Sequence, residues 1–149
     1  MRLSTVGRYA LRAMVDLALH NDQGPIQRID IAERQDVSDQ YLAQLFVKLR
    51  RAGLVQSVRG PGGGYMLARD PGQISASDVL RAVEETLEPV FCVDDEAKTH
   101  CPRVDSCPTH WLWAELSSAI NEVLDSVTLT ELCQHTSPST EAVGESGIG

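Results

Sequence analysis

Residues 29–68 read IDIAERQDVSDQYLAQLFVKLRRAGLVQSVRGPGGGYMLA, and this run decides the fold. The first seven residues suit a short helix. Asp36-Val37-Ser38 is then a tight turn, with Ser38 placed to cap the helix that follows. That helix, DQYLAQLFVKLRRA, puts Leu42, Leu45, Phe46 and Leu49 on one face and stops at Gly53. Leu54 to Arg59 reads as a strand, Gly60 to Gly64 as a glycine-rich tip, and Tyr65 to Ala68 as the returning strand. Two helices joined by a short turn and followed by a hairpin make the pattern of a winged helix-turn-helix. The fold class expected is therefore mainly α with a small β-hairpin wing.

The flanks agree with this reading. Residues 5–20, TVGRYALRAMVDLALH, carry Leu11, Met14, Val15 and Ala18 at helical spacing, so a first helix precedes the unit and breaks at Asn21 to Pro25. After Pro71-Gly72, Ser75 and Asp78 form a capping-box pattern for a helix that turns Val79, Leu80 and Val83 inward. Residues 88–109 are irregular. A longer helix is predicted over 111–126, where Trp113, Leu116, Ile120, Val123 and Val127 step by 3, 4, 3 and 4. That is a short a/d seam suited to a homodimer, with docking on its own domain as the alternative. Thr128 and Glu131 resemble a second capping box opening a last short helix. The predicted organisation is a DNA-binding domain over 1–86, a ligand loop over 87–110, the long and terminal helices over 111–135, and a disordered tail over 136–149.

The net charge of −8 is unevenly spread. Residues 1–69 hold ten Lys/Arg and six Asp/Glu, a net +4, whereas residues 70–149 hold three and fifteen, a net −12. A basic front and an acidic back suit a protein that turns one face to phosphates. No apolar run approaches the roughly 20 residues of a membrane span, so a soluble cytoplasmic protein is expected. No nucleophile–base set or nucleotide loop is present, and the glycine run lies in a hairpin rather than between strand and helix. An enzyme is not expected.

By geometry, the N-terminal turn of the third helix faces base edges in the major groove. The exposed candidates there are Ser38, Asp39, Gln40, Tyr41 and Gln44. Glutamine can hold adenine through two bonds, and Ser or Tyr reaches a base or a phosphate. Arg59 stands at the wing's edge beside Gly60, placed for a narrow minor groove. Lys48, Arg50 and Arg51 are candidates for phosphate contacts.

Cys92, Cys101 and Cys107 have eight and then five residues between them, and His110 follows Cys107 after two more. Three thiolates leave a four-coordinate centre one ligand short, and His110 is the nearest donor, with His100 its rival. A cluster of this kind without a secretory signal points to metal or redox chemistry rather than a structural disulfide. A Cys3His zinc site and a reversible thiol switch are the alternatives. Cys133 reads as a small buried residue.

The segments MRLSTVGRYALRAMVDLALH, DIAERQDVSDQYLAQLFVKLRRAGLV and SVRGPGGGYMLARD, with RAVEE and the cysteine segment, closely resemble regulators of the IscR type. These lie within a wider family of winged-helix regulators that includes NsrR. The resemblance reaches to about residue 133. It implies a homodimeric repressor or activator of iron–sulfur assembly genes on a palindromic operator. It also implies a 2Fe–2S cluster on three cysteines and one histidine, supplied by the assembly machinery, and DNA contacts by Ser38, Tyr41, Gln44 and Arg59. NsrR-like relatives complete their cluster with an acidic residue near the N-terminus, and Arg8 stands in that region here; a response to another signal such as nitric oxide is the alternative. Two positions depart from the IscR pattern: Ala43 replaces a frequent Glu, and the Cys92–Cys101 gap is three residues longer.

Overall fold

The computed structural model describes residues 3–85, 87–88, 91–93 and 101–136. The tail expected over 136–149 lies outside them apart from Thr136, as does His100. The helices are α1 (Thr5–Leu19), α2 (Arg28–Gln35), α3 (Asp39–Arg51), α4 (Ala76–Ala82), α5 (Pro108–Ser126) and α6 (Leu129–Gln134). Strands β1 (Val55–Val58) and β2 (Gly64–Leu67) lie between α3 and α4. This is the expected winged helix-turn-helix followed by a long helix.

The core explains why these segments turn where they do. In α1, Ser4 accepts from the Gly7 amide at 3.2 Å, and Ala10, Ala13, Met14 and Leu17 form a fully buried face. Asp36 closes α2 in the left-handed region, at φ 51°, and reverses the chain. Ser38 caps α3 as expected, its Oγ accepting from the Tyr41 amide at 3.1 Å. Leu42, Leu45, Phe46 and Leu49 then meet Met14, Ile31 and Leu54 in one apolar cluster.

The hairpin pairs Val55 with Leu67 and Val58 with Gly64 in antiparallel register. Its second strand begins at Gly64, one residue before the expected start, because Gly64 is where the wing meets the body. Ile26 and Tyr65 exchange both backbone hydrogen bonds, at 2.9 and 2.7 Å. At φ 150°, Gly64 lies so close to the Ile26 carbonyl that any Cβ would strike it. The Tyr65 ring tilts over Phe46 with centroids 4.4 Å apart.

Helix α5 starts at Pro108, three residues before the predicted Trp111, because proline suits a first turn whose amide is unpaired anyway. The expected seam is divided. Trp113, Ile120 and Val127 are half-buried, while Leu116 and Val123 stand 41% and 60% exposed. With Leu112 they leave an open apolar stripe. Facing the body, Asp125 accepts from the buried Ser77 hydroxyl, and Arg81 reaches Asp125 at 3.4 Å and Asn121 at 3.3 Å.

The capping box on α4 is present, with the Ser75 amide donating to Asp78 at 2.9 Å. At the cap of α6, Thr128 Oγ1 accepts from the Glu131 amide at 3.2 Å. The two caps pair with each other. The Ala76 amide donates to the Val127 carbonyl at 2.8 Å and the Leu129 amide to the Ile74 carbonyl at 3.0 Å. Leu129 is fully buried in the same cluster as Met14.

Among the described residues, one charged side chain is buried. Asp16, on α1, is 3% exposed. It accepts from Arg34 at 2.7 and 3.0 Å and from Gln35 Nε2 at 2.8 Å, while Arg12 donates to the Gln35 carbonyl at 2.8 Å. Asp16→Ala is expected to cost roughly 1–3 kcal/mol in urea unfolding with an unchanged m-value. Arg34→Ala should cost at least as much, because it strands the carboxylate without its main partner. A loss for either variant no larger than that of an exposed pair would show that the tie is not structural.

Candidate nucleic-acid interface and ligand segment

The exposed edge of α3 and the wing lie on one surface because the Ile26–Tyr65 bridge and the Tyr65–Phe46 contact hold the hairpin against the helix. Ser38, Gln40 and Gln44 are exposed there, and Ser38 can cap the helix while its hydroxyl proton points outward. Arg59 and Gly60 are exposed at the tip, where Gly60 accepts from the Gly63 amide at 2.9 Å and tightens the turn.

Three candidates sit differently from the sequence reading. Tyr41 is half-buried rather than exposed, its ring edge-on to Tyr9 of α1 with centroids 5.9 Å apart. Burial, with Tyr9 beside it, pushes its phenol above the usual range. Lys48 turns toward Glu84 at 3.4 Å, away from the role of a free phosphate contact. Asp39 is not free either: Arg28 grips it with a two-pronged ion pair, Nε to Oδ1 at 2.7 Å and Nη2 to Oδ2 at 3.0 Å. Nothing in the sequence spacing pairs positions 28 and 39; only the turn between α2 and α3 brings them together. Ala43 is half-buried, and Arg50 and Arg51 are exposed.

In the cysteine segment, Cys92 lies in the single turn Phe91–Val93, which packs against α5. Residues 101–107 coil directly into α5, with the Val104 amide donating to the Cys101 carbonyl at 3.3 Å and the Cys107 amide to the Arg103 carbonyl at 2.8 Å. Cys107 is the N-cap of α5. The Thr109 hydroxyl at 3.0 Å, with the His110 and Thr109 amides, holds the Cys107 thiol below its usual range, as helix N-termini do for thiolates. His110 is one turn inside, and its Nδ1 is buried with no hydrogen-bond partner among the described residues. A thiol disposed to ionise and an orphaned imidazole nitrogen are the donors a soft metal or a cluster needs. Among the described residues, no three His, Cys, Asp or Glu side chains converge on one point. Cys92, Cys101, Cys107 and His110 thus belong to one segment but are not assembled. All four cysteines are free thiols, and Cys133 is half-buried on α6, its thiol pushed up by burial.

The sequence profile of the Rrf2 family, described as iron-dependent transcriptional regulators, matches residues 3–135. The chain belongs to the Rrf2 family. It is 49% identical over 135 residues to the HTH-type transcriptional regulator IscR of Xenorhabdus nematophila, covering 91% of this chain and 80% of that protein. The Cronobacter sakazakii regulator of the same name is 48% identical over 132 residues, 89% and 80% of the two chains. Among solved structures, CymR, the global cysteine regulator of B. subtilis, superposes with a TM-score of 0.76 at 39% identity over 92% of this chain and 99% of that one. T. potens IscR superposes at 0.75 and 39% identity, over 94% and 91%. This Rrf2 protein is a DNA-binding transcriptional regulator, and none of the described helices is long and apolar enough to cross a membrane.

The Arg28 guanidinium holds the Asp39 carboxyl below the usual carboxylate range. A depressed folded pKa means that the pair contributes above the ordinary carboxylate pKa and is lost as pH falls through the depressed value. In an NMR titration, Asp39 should titrate below the exposed aspartates and return to their range in Arg28→Ala. An Asp39 that titrates with the rest would rule out the pair in solution.

Proposed function

We propose that this Rrf2 regulator binds a palindromic operator as a homodimer and that a 2Fe–2S cluster governs which operators it occupies. The genes it controls, as repressor or activator, are those of cluster assembly. The cluster is held by Cys92, Cys101, Cys107 and His110 and delivered by the iron–sulfur assembly machinery. The observation that carries the reading is the buried, partnerless Nδ1 of His110 one turn from the N-capping Cys107. The IscR names of its relatives point the same way.

The protein's own residues supply three things. Ser38, Gln40, Tyr41 and Gln44 on α3 read base edges in the major groove, with Tyr41 offering its hydroxyl from a ring fixed on Tyr9. Arg59 enters the neighbouring minor groove, which Gly60 lets the backbone approach. Residues 1–86 act as the DNA-binding unit and 111–135 as the dimer element, where the open stripe of Leu112, Leu116 and Val123 gives a second copy an apolar face to cover. When bound, the cluster supplies a redox-active, labile charge centre. An imidazole ligand makes its occupancy sensitive to protonation and supply. Cys92, Cys101 and Cys107 would hold the cluster together with His110 on the first turn of α5, the helix that also carries the open apolar stripe, so ligand state would bear on the dimer element.

The test is iron and acid-labile sulfide content with visible absorbance on protein purified without oxygen, beside Cys92→Ala and His110→Ala. About two irons and two sulfides per chain, lost in both variants, are expected. Zinc alone, or a cysteine-dependent disulfide without iron, would replace the cluster by a structural site or a thiol switch. On operator DNA, Gln44→Ala and Arg59→Ala should each weaken binding by about 1–3 kcal/mol in fluorescence anisotropy. Binding indifferent to both changes would move the reading surface elsewhere on the molecule.

A further inference from the structure

The junction of α2, α3 and the wing contains a device that the base-reading residues do not account for. Arg28 stands at the first position of α2 and Asp39 at the first position of α3. Their pair is two-pronged, 2.7 and 3.0 Å, so it fixes orientation as well as distance. The wing converges on the same point. Ile26, two residues before Arg28, is locked to Tyr65 by two backbone bonds. The face of the Tyr65 ring lies on Phe46 of α3. Three elements that must present side chains to two different grooves therefore meet at one junction. The pair is only partly exposed, with side-chain accessibilities of 33% and 38%.

We propose that Arg28 is a positioning residue: its forked pair with Asp39 sets the angle between the recognition helix and the wing and thereby the operator's sequence discrimination. The inference rests on the reading of α3 and the wing as the DNA-contacting elements. The pair has a second effect. A carboxylate at the first turn of a helix that faces phosphates would repel DNA, and the guanidinium covers that charge. Arg28 thus spends its charge within the protein. A phosphate-contacting arginine would act differently: removing its charge would lower the salt slope, whereas breaking an internal pair leaves the slope unchanged.

The experiment is fluorescence anisotropy of the full chain on operator DNA and on a non-specific duplex, across a salt series. It compares Arg28→Lys, Asp39→Asn, the double variant and the reference changes Gln44→Ala and Arg59→Ala, with folding checked by thermal melts. Arg28→Lys keeps the charge but not the fork. It is expected to lower the operator to non-specific affinity ratio about tenfold, the worth of one misplaced base contact, with the salt slope unchanged. Asp39→Asn should lower the ratio by a similar factor although it removes a negative charge. The double variant should be no worse than either single one, since both break the same pair. The proposal is overturned if Asp39→Asn tightens both duplexes alike, which is the signature of simple charge removal. It is equally overturned if Arg28→Lys leaves the ratio intact while Gln44→Ala lowers it. If Gln44→Ala and Arg59→Ala also have no effect, the surface assignment itself is wrong, a result distinct from failure of the junction alone. Should Arg28→Lys lower the melting temperature enough to blur the comparison, Asp39→Asn, which breaks the same pair from the other side, must still lower the ratio; no change there counts against the proposal.

Discussion

A carboxylate taken out of water keeps its charge only where donors replace the hydration it loses. Asp16 meets that demand with the Arg34 fork and the Gln35 amide, and Arg12 closes the ring on the Gln35 carbonyl. Apolar packing between α1 and α2 would tolerate some rotation, since the cluster that holds Met14 and Ile31 is non-directional. The directional bonds to Asp16 do not. They set where α2 ends, which sets where Asp36 turns the chain and where Ser38 opens α3. The placement of α3 thus depends on a polar contact between α1 and α2.

The same logic recurs at the other functional elements. The wing is not held by its own two strands, whose four paired positions would be marginal alone. It is held by Ile26 and by the stacking of Tyr65 on Phe46. The long helix is fixed at its far end by Asp125 against Ser77 and Arg81, while its near end carries Cys107 and His110. Candidate ligands thus stand at one end of α5 and its polar anchors at the other.

Much of this was legible in the sequence, for physical reasons. Helix caps are local, so Ser38, Ser75 and Thr128 announced their helices within three residues. The hairpin showed because its glycines have few other uses. Contacts between distant segments left little trace: the Arg28–Asp39 pair, the donors around Asp16, and Tyr41 folded onto Tyr9. Each depends on how two helices rotate against one another, which no local spacing encodes. The seam of α5 shows the same limit. Its period was evident, but which half of the stripe the body would cover was not, and Leu116 and Val123 proved to be on the open side.

The splice between the caps of α4 and α6 has a consequence for synthesis. Leu129 completes a core whose other members lie between residues 10 and 83, and its amide is bonded to Ile74. A nascent chain that has emerged only through the wing still lacks this closing piece, and it must wait for about sixty more residues, including every candidate cluster ligand, to leave the ribosome. The N-terminal body therefore matures after the cysteine segment has been made. A truncated product ending before α6 would expose an unfinished apolar cleft, marking it for proteolysis rather than leaving an unregulated DNA binder in circulation.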